Sequence, residues 1–426
     1  MNLFIAGLVL ALFALLGAPL FTIIGAIAML SFAAEGIESS AVMVELYRIC
    51  SNPTLVAIPL FTFAGYILAE SKTPQRLVNL ARAFFGSLSG GLAVVALVTC
   101  AVFTAFTGAS GVTIVALGGL LYPILLKEQY PEKFSLGLIT TSGSLGLLFP
   151  PSLPIILYSV TAKLSIDQLF AAGLIPGLLL VIVLSAYGVR QGKKARVPKT
   201  PFSWLNVRTS LRAAAWEIPL PVIVIGGIYS GAFTATEAAA ITAFYVFVVE
   251  VFVYKDLSLT RDIPRVMRES MVLVGAILMI IGTAMGLTNY LVDNEVPMKL
   301  FELTKTFIGS GTMFLVVLNL FLIIVGMMMD IFSAIIIVVP LIIPIATAYG
   351  INPVHLGIIF LTNLEIGYLT PPVGLNLFIS SIRFQKPVFT IVRATLPYIG
   401  MLLIALIIIT YVPSLSLFLG ELLGVK

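Results

Sequence analysis

Long apolar runs separated by short polar patches dominate the chain. At roughly 20 apolar residues per bilayer crossing, they predict spans near residues 3–30, 53–70, 168–189, 216–230, 233–254, 271–292 and 391–412. Two further runs, 134–160 and 353–382, are long enough to cross, but each carries a Pro-Pro pair, at Pro150-Pro151 and Pro371-Pro372. A proline removes a backbone donor and crowds the preceding turn, so each pair predicts a broken helix. The runs 88–126 and 312–348 are too long for one crossing and too short for two, which predicts re-entrant hairpins. Their tips fall at Thr107-Gly108-Ala109-Ser110-Gly111 and at Met328-Met329-Asp330 with Ser333, where small and hydroxyl residues suit a tight turn. Polar-apolar runs at 74–86, 258–269 and 298–308 predict helices lying in the membrane interface.

The pattern occurs twice. Leu145 to Pro151 returns as Ile366 to Pro372, an offset of 221 between Gly146 and Gly367. The same offset pairs Gly65 with Gly286, Tyr122-Pro123-Ile124 with Ile343-Pro344-Ile345, Ile175-Pro176 with Leu396-Pro397, and Ser159 with Ser380. Residues 1–189 form one repeat and 231–426 the other, joined by 190–230, a basic loop and a crossing without a partner. One extra crossing inverts the second repeat, so the two tips enter from opposite sides and meet near the midplane. The expected fold class is an all-α polytopic membrane protein of two inverted-topology repeats, each with a hairpin and a Pro-Pro-broken helix. Broken backbone survives in hydrocarbon only where protein or a watery cavity satisfies it, and paired breaks at matching positions mark a transporter's binding site.

Composition agrees: 60% hydrophobic and 10% charged residues exclude an ordinary soluble domain, which carries about 25% charge. Counted across the predicted spans, 19 of the 24 lysines and arginines fall on the face that carries the 190–212 loop, so that face is cytoplasmic. The net charge of +5 therefore reports topology rather than a nucleic-acid partner. Cys50 and Cys100 suggest neither a disulfide framework nor a metal site. The apolar N-terminus lacks a basic n-region and is expected to stay as a span. Trp204 and Trp216 flank the basic loop as interface anchors.

Half-helix N-termini at the breaks favour anions, and half-helix C-termini present carbonyls that favour cations. A small hard cation such as Na+ takes oxygen ligands. Candidates in the first repeat are Thr107, Ser110, Ser142 and Ser144, with the backbone of Gly108, Ala109 and Gly146. In the second they are Asp330, Ser333, Asn363, Glu365 and Thr370, with the backbone of Gly326, Met329 and Gly367. Substrate contacts are expected from Ser110, Ser152 and Asn376 beside Pro150, Pro151, Pro371 and Pro372. Only the second repeat carries acids, since Asp330 matches Ala109 and Glu365 matches Ser144. Intramembrane carboxylates are costly and mark function; the competing reading is an acid that locks a hairpin. Thr234 and Glu237 form a capping box, a structural device. His355 is expected near the outer interface. Gly108-Ala-Ser-Gly111 also matches an intramembrane serine protease motif, but its serine needs a base within reach, and the layout separates Ser110 from His355.

Five stretches carry a family resemblance: Asn363-Leu-Glu-Ile-Gly-Tyr-Leu-Thr-Pro-Pro-Val-Gly-Leu-Asn376, Phe149-Pro-Pro-Ser-Leu-Pro-Ile-Ile-Leu-Tyr158, Ile58-Pro-Leu-Phe-Thr-Phe-Ala-Gly65, Thr236-Glu-Ala-Ala-Ala240 and Met329-Asp330. Over essentially its whole length the chain resembles the large, DctM-like membrane subunit of tripartite ATP-independent periplasmic (TRAP) transporters, in the ion transporter superfamily. The resemblance implies sodium-coupled import of a small organic anion through the bacterial inner membrane, without an organic cofactor. It also implies an elevator motion of hairpins and broken helices against a scaffold. The implied partners are a small four-helix membrane subunit and a periplasmic substrate-binding protein. Two departures stand out: no acid follows the first tip, where Val112-Thr-Ile-Val115 stands, and Ala235 replaces a usual proline. A self-sufficient sodium- or proton-coupled dicarboxylate carrier of the same superfamily is the alternative.

Overall fold

The computed structural model describes residues 7–10, 12, 13, 16, 18–38, 40–50, 53–88, 90–197 and 201–424, and all regular structure among them is helical. Part of the predicted first crossing (residues 3–6, 11, 14, 15 and 17), and Lys426, lie outside the described residues. The N-terminal helices are α1 (Leu20–Ala34) and α2 (Ser40–Cys50). A 3-10 turn at Pro53–Val56 leads into α3 (Ala57–Glu70), followed by α4 (Thr73–Phe85). The first hairpin is α5 (Gly91–Thr107) and α6 (Ser110–Lys127). The first broken helix is α7 (Glu132–Ser142), a 3-10 turn at Leu145–Leu148, and α8 (Leu153–Ala162), bent by 44°. Next come α9 (Ile166–Lys194), α10 (Trp204–Ala213), α11 (Pro219–Tyr229) and α12 (Ala235–Val248), which runs on into a π turn at Val249–Val253. Helix α13 (Asp262–Asp293) and α14 (Val296–Phe307) precede the second hairpin, α15 (Gly311–Met328) and α16 (Ile331–Ala348). The second broken helix is α17 (Pro353–Gly367) and α18 (Leu375–Phe384), and α19 (Val388–Tyr411) and α20 (Ser414–Leu422) close the chain. Among the described residues seven helices are long and apolar enough to cross a membrane, eight with the bent pair.

Helix starts follow the local sequence. The side chains of Ser165, Thr234, Ser310 and Asn352 accept the first free N–H groups of α9, α12, α15 and α17, and Thr234 with Glu237 completes the capping box. Both Pro-Pro bonds are cis.

The elements of 91–148 recur 221 residues later, but after the breaks the offset becomes 222, as Leu153 and Leu375 show at the starts of α8 and α18. The extra residue lies in the Val373-Gly374 turn, where Gly374 takes φ +54. Hydrogen bonds confirm the register: Ser159 Oγ donates to Leu164 O and Ser381 Oγ to Lys386 O, each at 2.6 Å. The structural counterpart of Ser159 is therefore Ser381 rather than the expected Ser380. The Gly65–Gly286 pair is also not equivalent in its surroundings. A Cβ on Gly65 would lie 2.5 Å from Phe106 O at the first tip, whereas one on Gly286 would meet Val42 of α2.

The two halves interlock. The inner arm of each hairpin, α6 or α16, packs on the post-break helix of the other half, α18 or α8. In the same crossed sense α19 packs on α7 and α9 on α17. Two buried phenols close this core, Tyr158 donating to Pro353 O at 3.0 Å and Tyr398 to Phe134 O at 2.9 Å. Beside it, α3 packs on both α12 and α13, with α1 and α2 against α13.

Three differences from the sequence reading have physical causes. The run 258–269 is not a separate interfacial helix, because from Asp262 it continues without a break into the 32 residues of α13. Residues 31–52, between the first two predicted spans, contain α2, whose apolar residues cover α13. The basic loop contains α10, which packs on α4.

An ion cluster ties α4 to the α11–α12 region. Arg76 donates to Glu217, to Asp256 at 2.6 Å and to Glu250 at 2.9 Å, and its guanidinium lies 3.8 Å from the Tyr254 ring centroid. Burial opposes the Arg76 charge, but Glu250, Asp256 and Glu217 outweigh it and raise its pKa. Burial pushes the Tyr254 phenol up to about 12, so it remains a donor to Glu217 at 2.9 Å.

Candidate functional site

Each half brings a hairpin tip against a broken helix. At the first tip Gly108 takes φ +64 and donates its N–H to Thr104 O at 2.8 Å, Ala109 is extended, and α6 starts at Ser110. A Cβ on Gly108 would meet Leu153 at 2.6 Å, so both conformation and space require glycine there. Beneath the turn Thr113 and Thr104 share a 2.7 Å hydrogen bond, and Thr104 donates to Gly143 O at 3.0 Å. Ser110 Oγ donates to Asn376 Oδ1 at 2.8 Å, and Asn376 Nδ2 reaches Thr140 O at 3.4 Å. The tip of one half is thereby bonded to the post-break helix of the other.

The first break is closed. Pro150, Pro151 and Ser152 are buried. A Cβ on Gly146 would lie 2.2 Å from Ala101 O of α5. Ser142 and Ser144 donate to Ile139 O and Thr141 O, at 3.1 and 3.4 Å. Thr107 Oγ1, Thr141 Oγ1 and Ser152 Oγ, at the tip, the end of α7 and the start of α8, are buried without a hydrogen-bond partner.

The second tip is held differently. Met329 is extended and Asp330 caps α16, accepting from Ser333 N at 3.0 Å and from the Ser333 hydroxyl. Ile331 N donates to Tyr368 OH at 2.6 Å, and Gly374 N to Met327 O at 3.1 Å. Gly326 and Gly367 stand back to back, and a Cβ on Gly367 would lie 2.5 Å from the Gly326 backbone. The Thr370 hydroxyl donates to Ile366 O at 2.8 Å. Asn363 Nδ2 donates to Asn319 Oδ1 at 2.7 Å, leaving Asn363 Oδ1 and both Glu365 oxygens buried without partners. Unlike the first break, Pro371, Pro372 and Val373 are exposed, as is Asp330. The extra residue at Gly374 coincides with this opening.

The expected donors thus gather into two tip-and-break regions. Ser110 and Asn376, expected in one substrate set, bond directly. His355, near the start of α17, is 2% exposed, with its ring nitrogens 3.2 Å from Ser416 Oγ and Thr410 O. Helix α20, not foreseen, covers it. Ser110 bonds Asn376 instead, so no serine–histidine pair forms. Thr104, Thr113, Thr140, Thr141 and Asn319 were missed; they lie within helices, where sequence does not distinguish a side chain facing a tip from one bonded to its own backbone.

The unpartnered atoms are hydroxyl, amide and carboxylate oxygens, the donor types that suit an alkali cation. Among the described residues no group of three or more His, Cys, Asp or Glu could hold a metal ion. Residues 5–415 match the family model of the tripartite ATP-independent periplasmic transporter, DctM component.

The chain belongs to the DctM family.

As a DctM permease it is a multi-pass inner-membrane protein and a transporter rather than an enzyme. It is 38% identical over 94% of both chains to the C4-dicarboxylate TRAP transporter large permease of Pseudomonas aeruginosa. It is 34% identical to the ectoine/5-hydroxyectoine large permease of Ruegeria pomeroyi, over 87% of this chain and 86% of that one. To the isethionate permease DctMQ of Oleidesulfovibrio alaskensis it is 36% identical, over 96% of this chain and 65% of that one. Among solved structures the YdaH transporter of Alcanivorax borkumensis shares the fold, with a TM-score of 0.62, 14% identity, and coverage of 90% and 88%.

Proposed function

We propose that this permease imports a small organic anion coupled to sodium, the anion being handed over by a periplasmic binding protein, with a small membrane subunit completing the complex. The observation that carries this reading is the pair of tip-and-break regions that keep buried oxygens unpartnered: Thr107, Thr141 and Ser152 in one, Asn363 and Glu365 in the other. Buried polar atoms are almost always bonded, and an unpaired buried carboxylate is costly. A sodium ion in each region satisfies them, with further oxygens from Gly108, Ala109, Gly146, Gly326, Met329 and Gly367. The relatives named for C4-dicarboxylate and isethionate support an anion; another relative is named for ectoine/5-hydroxyectoine. The fused DctMQ relative supports the small-subunit partner.

In this reading sodium orders the tips first. The broken backbone at Pro150-Pro151 and Pro371-Pro372 then presents the N-termini of α8 and α18 to the substrate carboxylate, beside Ser152, Ser110 and Asn376. The hairpins and broken helices, interlocked across the halves, move as one body against α3, α11, α12 and α13. The test is uptake into proteoliposomes holding this chain and the small subunit, with and without the binding protein, under an inward sodium gradient. Uptake requiring both sodium and the binding protein is expected; uptake that persists without the binding protein overturns the tripartite part, and uptake indifferent to sodium overturns the coupling.

A further inference from the structure

An apolar slot runs along the outer side of α5. Two cavities of about 260 and 190 Å³ share Val98, Val102, Phe106 and Pro221. One extends down to Leu77 and Phe84 of α4, and the other reaches Phe149 and Pro150 at the first break. The far wall is α11, through Leu220 and Ile225, so the slot separates the connecting span from the first hairpin. Water gains nothing here: apart from Thr73 and Glu217 at the α4 end, the polar side chain on the lining is Thr99, whose hydroxyl is buried without a partner.

The end at α4 opens onto the basic face of the molecule. Helix α10, packed on α4, exposes Arg208 and Arg212 together with Trp204, Leu205 and Leu211, the mixture expected of a helix at headgroup depth. A polar cavity of about 450 Å³ between α4 and α10 adds Asn79 and Asn206, and Arg82 on its rim is already held by Glu128 at 2.6 Å. Glu217, the acid on the slot's rim, is already held by Arg76 and Tyr254, so it does not repel an anion there.

We propose that the slot binds an acyl chain of an anionic phospholipid from the cytoplasmic leaflet, wedged between α11 and the first hairpin with its headgroup at α4 and α10. The site stands without the transport reading; only its consequence, that this lipid must yield when the hairpin moves against α11, rests on it.

Trp204 and Trp216 are the two tryptophans of the chain, and Trp216 adjoins Glu217 and Ile218 on the slot's rim. The probe is therefore phosphatidylglycerol with brominated acyl chains, titrated into the delipidated full chain in detergent, read as quenching of Trp216 in a Trp204→Phe background. Saturable quenching at one lipid per chain is expected, with brominated phosphatidylcholine binding about 5-fold more weakly for each cation engaged. Val102→Phe and Ile225→Phe fill the slot from opposite walls, and each should abolish the saturable phase while leaving the melting temperature near that of the parent. Quenching that never saturates, or that survives in both filled variants, is annular lipid and overturns the site. Equal affinity for the two headgroups overturns the anionic assignment. None of these readings depends on uptake, so failure here leaves the proposed transport untouched, and the reverse.

Discussion

Asp330 shows how one side chain can serve two roles that a substitution pair separates. As the cap of α16 it needs only an acceptor, which asparagine also supplies, so Asp330→Asn should melt like the parent. Asp330→Ala removes the acceptor and should cost about 1 kcal/mol. If the carboxylate also ligates sodium, Asp330→Asn should raise the half-saturating sodium concentration for uptake by about tenfold, the equivalent of ~1.4 kcal/mol. An unchanged sodium dependence in a stably folded Asp330→Asn would leave Asp330 as a cap alone. Gly367 makes a purely steric case. Any Cβ there runs into the Gly326 backbone at 2.5 Å, so Gly367→Ala must push α15 and α17 apart, costing about 1–3 kcal/mol. A thermal melt within a degree of the parent would show that the contact is looser than drawn.

Among the elements, α4 and its counterpart α14 link scaffold to hairpin in their halves, yet only α4 carries the Arg76 cluster, and position 297 is proline. Arg76→Met would leave Glu217, Glu250 and Asp256 facing one another, with Lys72 the nearest remaining cation, 3.6 Å from Asp256. Breaking one partner of a buried ion pair costs about 3–5 kcal/mol, so a pronounced fall in the melting temperature is expected. Adding Glu217→Gln should recover part of it, because the two residues share one network; strictly additive losses would argue against direct coupling. This cluster was invisible in the sequence, since its members lie between residues 72 and 256 with no local pattern. Apolar helices, the tight turns between them and the breaks were legible for the opposite reason: apolar run length, Pro-Pro pairs and small-residue turns act locally. Helices α2, α10 and α20 escaped notice because they are short and form against neighbours distant in sequence. Asp330 and Glu365 could be located as intramembrane acids, but that one is a satisfied cap and the other unpartnered depends on the fold around them.

For the whole molecule, the interlock of α6 with α18 and α16 with α8 makes the two halves one body, and the difference between the breaks then acquires meaning. The first is buried and the second open. If the repeats are inverted, an open second break and a closed first one describe a single face of access, and the opposite state exchanges them. The premise can be tested without any substrate. In a background lacking Cys50 and Cys100, single cysteines replace Lys163 and Lys305 on one predicted face and Arg196 and Lys255 on the other. A membrane-impermeant maleimide added to intact spheroplasts should label the first two and reach the second two only after permeabilisation. Labelling of Lys163→Cys and Lys305→Cys from opposite sides would mean that the halves do not share the predicted boundary, and the second hairpin would then enter from the same side as the first. The inverted arrangement would fall, and with it the reason for one break to open as the other closes.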